Sequence, residues 1–234
     1  MKGLIGTLTA IFFHSIYPQA GPVAKPPVKP PVTLSAEDVV KKLQKFYDDT
    51  TDYQADFSQV YLYKAYGRTQ KSKGRVYFKK AGKMRWEYSK PTKKFFIADG
   101  TDLWVYEPEE KQAYKQTMED SQLPVAITFL FGKGKLLDEF TAALLTGDSR
   151  ATTPSDYVVE LTPKKDEGQY KKVVMVVSST DFSLKEVYVY DPTDNENHLS
   201  FTKPATNKGV DDSQFTFAPP SDVKIITPST EPTQ

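Results

Sequence analysis

From Tyr53 onward, apolar side chains recur at every second position, and turn residues rather than helices interrupt the runs. A period of two is the pattern of strands buried on one face. The runs fall at 53–64, 71–79, 83–88, 93–98, 102–107 and 111–116, then at 137–145, 157–162, 171–178, 184–191 and 197–204. Lys80-Ala81-Gly82, Lys90-Pro91, Asp99-Gly100 and Pro108 separate several of them. Asp99-Gly100 between two apolar runs predicts a tight hairpin, because glycine adopts positive φ without a steric penalty. Parallel neighbours would require crossover helices; none lies between successive strands, so the predicted sheet is antiparallel. About eleven strands in a row predict one sheet curled on itself. A last strand is expected at 214–218, after a short turn near Val210-Asp211-Asp212-Ser213.

Two helices are predicted. Ser35 with Asp38 three residues on is a capping box, and Val39, Val40, Leu43, Phe46 and Tyr47 follow as one apolar stripe. Between the two sets of strands, 124–132 is nearly all apolar, with Pro124 fit for a first turn and Gly132 for a stop. In a sheet protein such a piece covers or plugs something.

The ends read differently. Lys2 followed by the apolar run 4–13 predicts a secretory signal peptide over 1–20, cleaved after Ala20 or, as a second choice, Ala24; a membrane anchor is the alternative. Residues 21–33 are a proline-rich spacer, semi-rigid and unable to pack a core. The expected domain is 34–226, with a disordered tail at 227–234.

Composition narrows the chemistry. The chain has no Cys and two His, His14 and His198. Thiolate nucleophiles, disulfides and Cys-ligated metals are excluded, and a multi-His site nearly so. With residues 1–33 removed, 28 basic residues face 30 acidic ones, so no global field points to nucleic acid. Glu109-Glu110 and Asp211-Asp212 read as turn residues, Lys79-Lys80 and Lys93-Lys94 as solvated faces and hairpin ends. His198 reads as a solitary strand-surface residue. No Gly-rich phosphate loop, nucleophile elbow or His–carboxylate metal motif occurs, and no cofactor or catalysis is expected.

On strand 83–88, Met84, Trp86 and Tyr88 share a face; Phe95-Phe96-Ile97 follow, and Trp104 and Tyr106 share a face of the next strand. Turned inward beneath the two helices, these groups would either close-pack or line a ligand space. Pattern alone leaves both open.

The stretch Gly82-Lys83-Met84-Arg85-Trp86-Glu87-Tyr88, Pro91, Phe96-Ile97-Ala98-Asp99-Gly100, Leu103-Trp104-Val105-Tyr106 and Lys111-Gln112 resembles the LolA family of periplasmic lipoprotein carriers. So do Tyr53-Gln54-Ala55-Asp56-Phe57-Ser58-Gln59, Phe215-Thr216-Phe217-Ala218-Pro219-Pro220 and the apolar helix at 124–132. The resemblance implies a mainly β, unclosed antiparallel barrel with a helical lid. It implies an apolar cavity for the acyl chains of triacylated lipoproteins, carried from an inner-membrane ABC-type release complex to an outer-membrane acceptor by a monomer, without catalysis. The cavity residues it points to are Leu43, Phe46, Tyr47, Met84, Trp86, Tyr88, Phe96, Ile127, Phe129 and Leu130. The family's usual Arg-Pro is here Lys80-Ala81, and its Phe is Met84. The Arg latches the lid in the family, so Lys80 is the expected latch. A carrier of free lipid or glycolipid, or a non-carrier envelope protein with a filled barrel, are the alternatives.

Overall fold

A computed structural model describes residues 34–118, 134–165, 168 and 170–227. The predicted signal peptide and spacer at 1–33, the helix at 124–132 with Ile127, Phe129 and Leu130, and the tail from 228 lie outside the described residues.

Helix α1 spans Ala36–Asp49. The Ser35 hydroxyl accepts from the Asp38 amide at 3.1 Å, and the Asp38 carboxylate accepts from the Ser35 amide at 3.3 Å. Two of the orphan amides of the first turn are thereby satisfied. The predicted stripe buries Val39, Val40, Leu43 and Tyr47.

Twelve strands form one sheet: β1 Asp52–Tyr63, β2 Arg68–Lys79, β3 Lys83–Lys90, β4 Lys94–Asp99, β5 Asp102–Glu107, β6 Gln112–Thr117, β7 Phe140–Leu144, β8 Tyr157–Pro163, β9 Lys172–Val177, β10 Leu184–Tyr190, β11 Glu196–Thr206 and β12 Lys224–Ile226. Their order is β12-β6-β5-β4-β3-β2-β1-β11-β10-β9-β8-β7. The two edges, β12 and β7, do not pair, so the curled sheet is unclosed. The predicted eleven strands are all present. The sheet joins its halves at β1 and β11, where Ser58 and Ser200 share a 2.7 Å hydroxyl contact.

One face of the sheet carries α1. Tyr53, Ala55 and Phe57 of β1, Val76 and Phe78 of β2, Met84 and Trp86 of β3, Ala98 of β4 and Leu103 of β5 face it from one half. Leu199 and Phe201 of β11, Val187 of β10, Val173, Met175 and Val177 of β9, Leu161 of β8 and Phe140 of β7 face it from the other. β9 is buried on both faces, because Val174 and Val176 join Val158 and Tyr188 in a second cluster on the outer side. Its unbroken Val-Val-Met-Val-Val run is what burial on both faces requires.

Four sequence expectations are corrected. The strand expected at 214–218 is a 3-10 turn, Asp212–Phe215, followed by extended chain on the outer face. Phe215 and Phe217 alternate like a strand, but the apolar outer face of β4 and β5 already offers them partners: Phe217 lies 5.4 Å from Trp104 and 5.0 Å from Tyr106, ring centre to centre. Trp104 and Tyr106 therefore point outward, and Leu103 takes the inner position on β5. The strand expected at 137–145 begins as a helical turn, α2 (Leu136–Glu139), before β7. Among the described residues the sheet has one parallel pair, β12 on β6, because the chain returns along the outer face and reaches the free edge of β6 from that side.

The outer face is also braced by polar contacts. Asp212 bridges Lys79 at 2.9 Å and Lys83 at 3.0 Å, and Arg85 donates to the Gln214 carbonyl at 3.1 Å. Across the sheet, the loop between β7 and β8 is held by two carboxylates. Burial pushes the Asp156 carboxyl up, but Lys185, Thr152 and Thr153 outweigh burial and hold it at about 2. The Arg150 guanidinium holds Asp148 at about 2. In the unfolded chain an Asp titrates at roughly 3.9. Folded values below the unfolded one give stability that is complete above that range and lost as pH falls from about 4 through 2. The thermal midpoint is expected to drop across that window, and Asp156→Asn to make the drop shallower. An unchanged slope in the variant would remove Asp156 from the account.

Candidate functional site, an apolar sheet face beneath a helix

Seven of the expected cavity residues are described, and the fold brings all seven together. Leu43, Tyr47, Met84 and Trp86 are buried in the inner-face core, and Phe46, Tyr88 and Phe96 pack at its margin. Alternation on β3 aims Met84, Trp86 and Tyr88 inward, and pairing with β4 sets Phe96 beside Trp86. On α1, Leu43 and Tyr47 lie four residues apart and so share a face.

Sequence reasoning missed the residues that link them. Phe57 stands edge-on to Trp86 at 5.0 Å and to Tyr88 at 4.9 Å. Phe78 lies 5.8 Å from Trp86 and stacks on Tyr53 at 5.9 Å; Tyr53 in turn meets Tyr47 at 5.9 Å. The signal was present: Tyr53, Ala55 and Phe57 alternate on β1, and Val76 and Phe78 on β2. Only the register Tyr53↔Phe78↔Met84 adds them to the site.

The face carries almost no charge. The Tyr47 hydroxyl accepts from the buried Leu184 amide at 3.3 Å. Burial pushes the Tyr47 and Tyr53 phenols well up, and Tyr88 to about 12, so all three are neutral at ordinary pH. Polarity returns towards the ends of β1 and β4. Gln59 donates to Asn197 at 2.8 Å, and Lys94 pairs with Glu107 at 2.9 Å. An apolar floor with a polar rim suits an amphipathic ligand.

Lys80, in the β2–β3 turn, does not stand free. Its ammonium donates to the Asp48 carbonyl in the last turn of α1, and its amide donates to the Thr51 carbonyl at 3.0 Å. A cation at a helix C-terminus is favoured by the carbonyl dipoles there. The described partner of Lys80 is thus α1; the expected lid helix at 124–132 lies outside the described residues. His198 is not solitary: its ring stacks on Tyr188 at 4.0 Å and meets the Glu186 carboxylate at 3.0 Å on the outer face.

In fold, the chain is similar to an uncharacterized conserved protein from Thermus thermophilus. The TM-score is 0.55 at 13% identity, over 82% of this chain and 98% of that one. In sequence it is similar to the outer-membrane lipoprotein carrier protein of Methylococcus capsulatus, 27% identical over 79% of this chain and 86% of the relative. The protein of the same description from Nitrosomonas europaea is 27% identical over 80% of this chain and 88% of the relative. The family model for outer membrane lipoprotein carrier protein LolA matches residues 48–218. That span runs from the end of α1 to the segment carrying Phe215 and Phe217, and with these matches the chain belongs to the LolA family of outer-membrane lipoprotein carriers.

Proposed function

We propose that this chain is a periplasmic carrier that holds the acyl chains of triacylated lipoproteins against the inner face of its sheet. It receives them from an ABC-type release complex at the inner membrane and yields them to an acceptor at the outer membrane, binding without catalysis. A signal peptide over 1–20 would deliver the domain to that compartment. The observation that carries the reading is the continuous apolar inner face of an unclosed sheet, covered by a helix.

The magnitudes are compatible. An acyl chain of about 15 methylenes is worth roughly 12 kcal/mol when buried. Val39, Val40, Leu43 and Tyr47 are the side chains α1 would withdraw, at roughly 1.5–3 kcal/mol each. One acyl chain therefore offsets the lifting of α1, and three leave a surplus that holds cargo in water. The unpaired edges β7 and β12 let the sheet spread without breaking a ladder. In this proposal Lys80 is the latch: it ties the end of α1 to the sheet, and Ile127, Phe129 and Leu130 complete the apolar lining.

Native mass spectrometry of the protein isolated from its own periplasm, followed by lipid extraction, tests this. A triacylated lipoprotein bound one to one is the expected result. Lys80→Ala is expected to load faster and to speed amide exchange in the last turn of α1. Free phospholipid alone would transfer the function to lipid carriage. An empty protein that also takes no lipoprotein from an active release complex would overturn the reading.

A further inference from the structure

The β1–β2 hairpin is the longest in the sheet, twelve residues on each strand, and its tip lies opposite the α1–β1 junction. A 3-10 turn, Lys64–Tyr66, forms that tip, and Gly67 at φ +58° turns the chain back. Tyr66 is 84% exposed, an uncommon degree for a large ring, and Tyr61 and Tyr63 pack together just below it at 4.6 Å. A hollow of about 760 Å3 lies between Tyr66, Arg68 and Pro91.

The same end is cationic. Residues 61–73 and 90–94 contain no Asp or Glu. Lys64, Arg68, Lys71, Lys73, Lys90 and Lys93 are all exposed, and none has an ion-pair partner among the described residues. Lys73 stands directly opposite Lys90 across β2 and β3. Like charges in facing positions are destabilising, and an external anion relieves them. Two acids at the neighbouring β10–β11 end keep their charge, Asp191, which accepts from Asn195 and Thr193, and Glu196, opposite Leu62, while Asp194 is paired with Lys171 at 2.9 Å; six cations against two acids leave the end cationic. The chain outside residues 1–33 is slightly acidic overall, so this concentration of positive charge is local.

We propose that the tip of the β1–β2 hairpin docks on the surface of an anionic phospholipid bilayer, Tyr66 at the headgroup level and the surrounding cations on phosphates. Amphipathic aromatic rings settle at that interface, and Lys and Arg around them gain from the negative surface potential. The choice of a bilayer over another polyanion rests on the carrier reading, since a carrier of acylated cargo works between membranes. Docking by the hairpin end would bring the polar rim at Gln59, on the distal half of β1, and Asn197, on the adjoining end of β11, towards the membrane surface.

Co-sedimentation with vesicles of the mature protein, isolated from the periplasm with the predicted signal peptide removed, tests the proposal. Vesicles of phosphatidylcholine with 30% phosphatidylglycerol (about that fraction suffices to give a strong surface potential) are compared with phosphatidylcholine alone. Binding is expected only to the anionic vesicles and is expected to vanish at high salt. A Lys or Arg near such a surface is worth about five-fold in partitioning, so Arg68→Ala/Lys71→Ala/Lys73→Ala should weaken binding about 100-fold. The control triple Lys41→Ala/Lys208→Ala/Lys224→Ala removes the same charge elsewhere and should stay within about two-fold. All three proteins are isolated in the same way, and their thermal midpoints report folding. Equal binding to both kinds of vesicle, equal loss in both triples, or salt-independent binding would overturn the proposal. So would capture of an acidic protein by the hairpin without any response to phosphatidylglycerol. Lipoprotein still held by the hairpin triple, with vesicle binding lost, separates docking from cargo binding. An empty wild-type protein in mass spectrometry would strike the carrier reading while vesicle binding stood as measured.

Discussion

Gly74→Ala is expected to destabilise the fold by more than about 3 kcal/mol, beyond the usual range for a single added methyl. Gly74 faces inward on β2, opposite Tyr88, where the register slips by one residue against β3. A Cβ there would lie 1.8 Å from the Glu87 carbonyl oxygen and 2.8 Å from the Phe57 ring. The oxygen belongs to backbone and cannot rotate away. The ring is packed edge-on against Trp86 and Tyr88. Relief requires β2 and β3 to separate at the centre of the site. Gly147→Ala is the comparison: it has positive φ, +73°, but nothing within 4 Å of its Cβ, so only the left-handed backbone penalty of about 1–2 kcal/mol applies. Urea midpoints of the two variants should rank in that order. Equal midpoints would show that β3 yields to the methyl, and the tight approach at Gly74 would lose its role.

Much of the architecture was legible because local and global signals agree. Ser35 and Asp38 start α1 where predicted, and the stripe from Val39 to Tyr47 faces the sheet. Asp99-Gly100 turns β4 into β5, with Gly100 at φ +107°. Ten strands follow from period-two alternation with one face in the core, and β9 follows from its unbroken apolar run, which is buried on both faces. What alternation cannot supply is which face of a strand is inner when both are apolar. On β5, Leu103 and Val105 compete with Trp104 and Tyr106, and larger rings do not decide the matter. The decision comes from Phe217, more than a hundred residues on, which covers the outer face. The same remote partner explains why residues 214–218 alternate like a strand yet pair with none. Register had to come from the three-dimensional sheet too, because β1 meets β11 across 142 residues of chain. Phe57 and Phe78 therefore stayed outside the predicted site, although nothing about their own neighbours in sequence hid them.

The two tryptophans separate the inner face from the outer one. Trp86→Ala should cost about 3–5 kcal/mol, the range for removing a large buried ring. Trp86 is 6% exposed and touches Phe57, Phe78 and Phe201 at ring distances of 5.0, 5.8 and 6.3 Å. Such edge-to-face pairs each add about 0.5–1.5 kcal/mol to simple burial. Trp104 is only half-buried, packs on Phe217 at 5.4 Å with the Lys115 ammonium over its ring, and should cost less when truncated. The functional contrast is sharper. If acyl chains lie against the inner face, Trp86→Ala lowers cargo retention, and Trp104→Ala leaves it intact. Trp104→Ala also leaves Trp86 as the sole indole in the chain. Its emission should then shift when lipoprotein is loaded, because acyl chains replace side chains around it. In the reciprocal protein, with Trp104 alone, loading should leave the emission where it was. A shift confined to Trp104 would place the cargo on the outer face, beneath the segment that carries Phe215 and Phe217, and would refute the inner-face site.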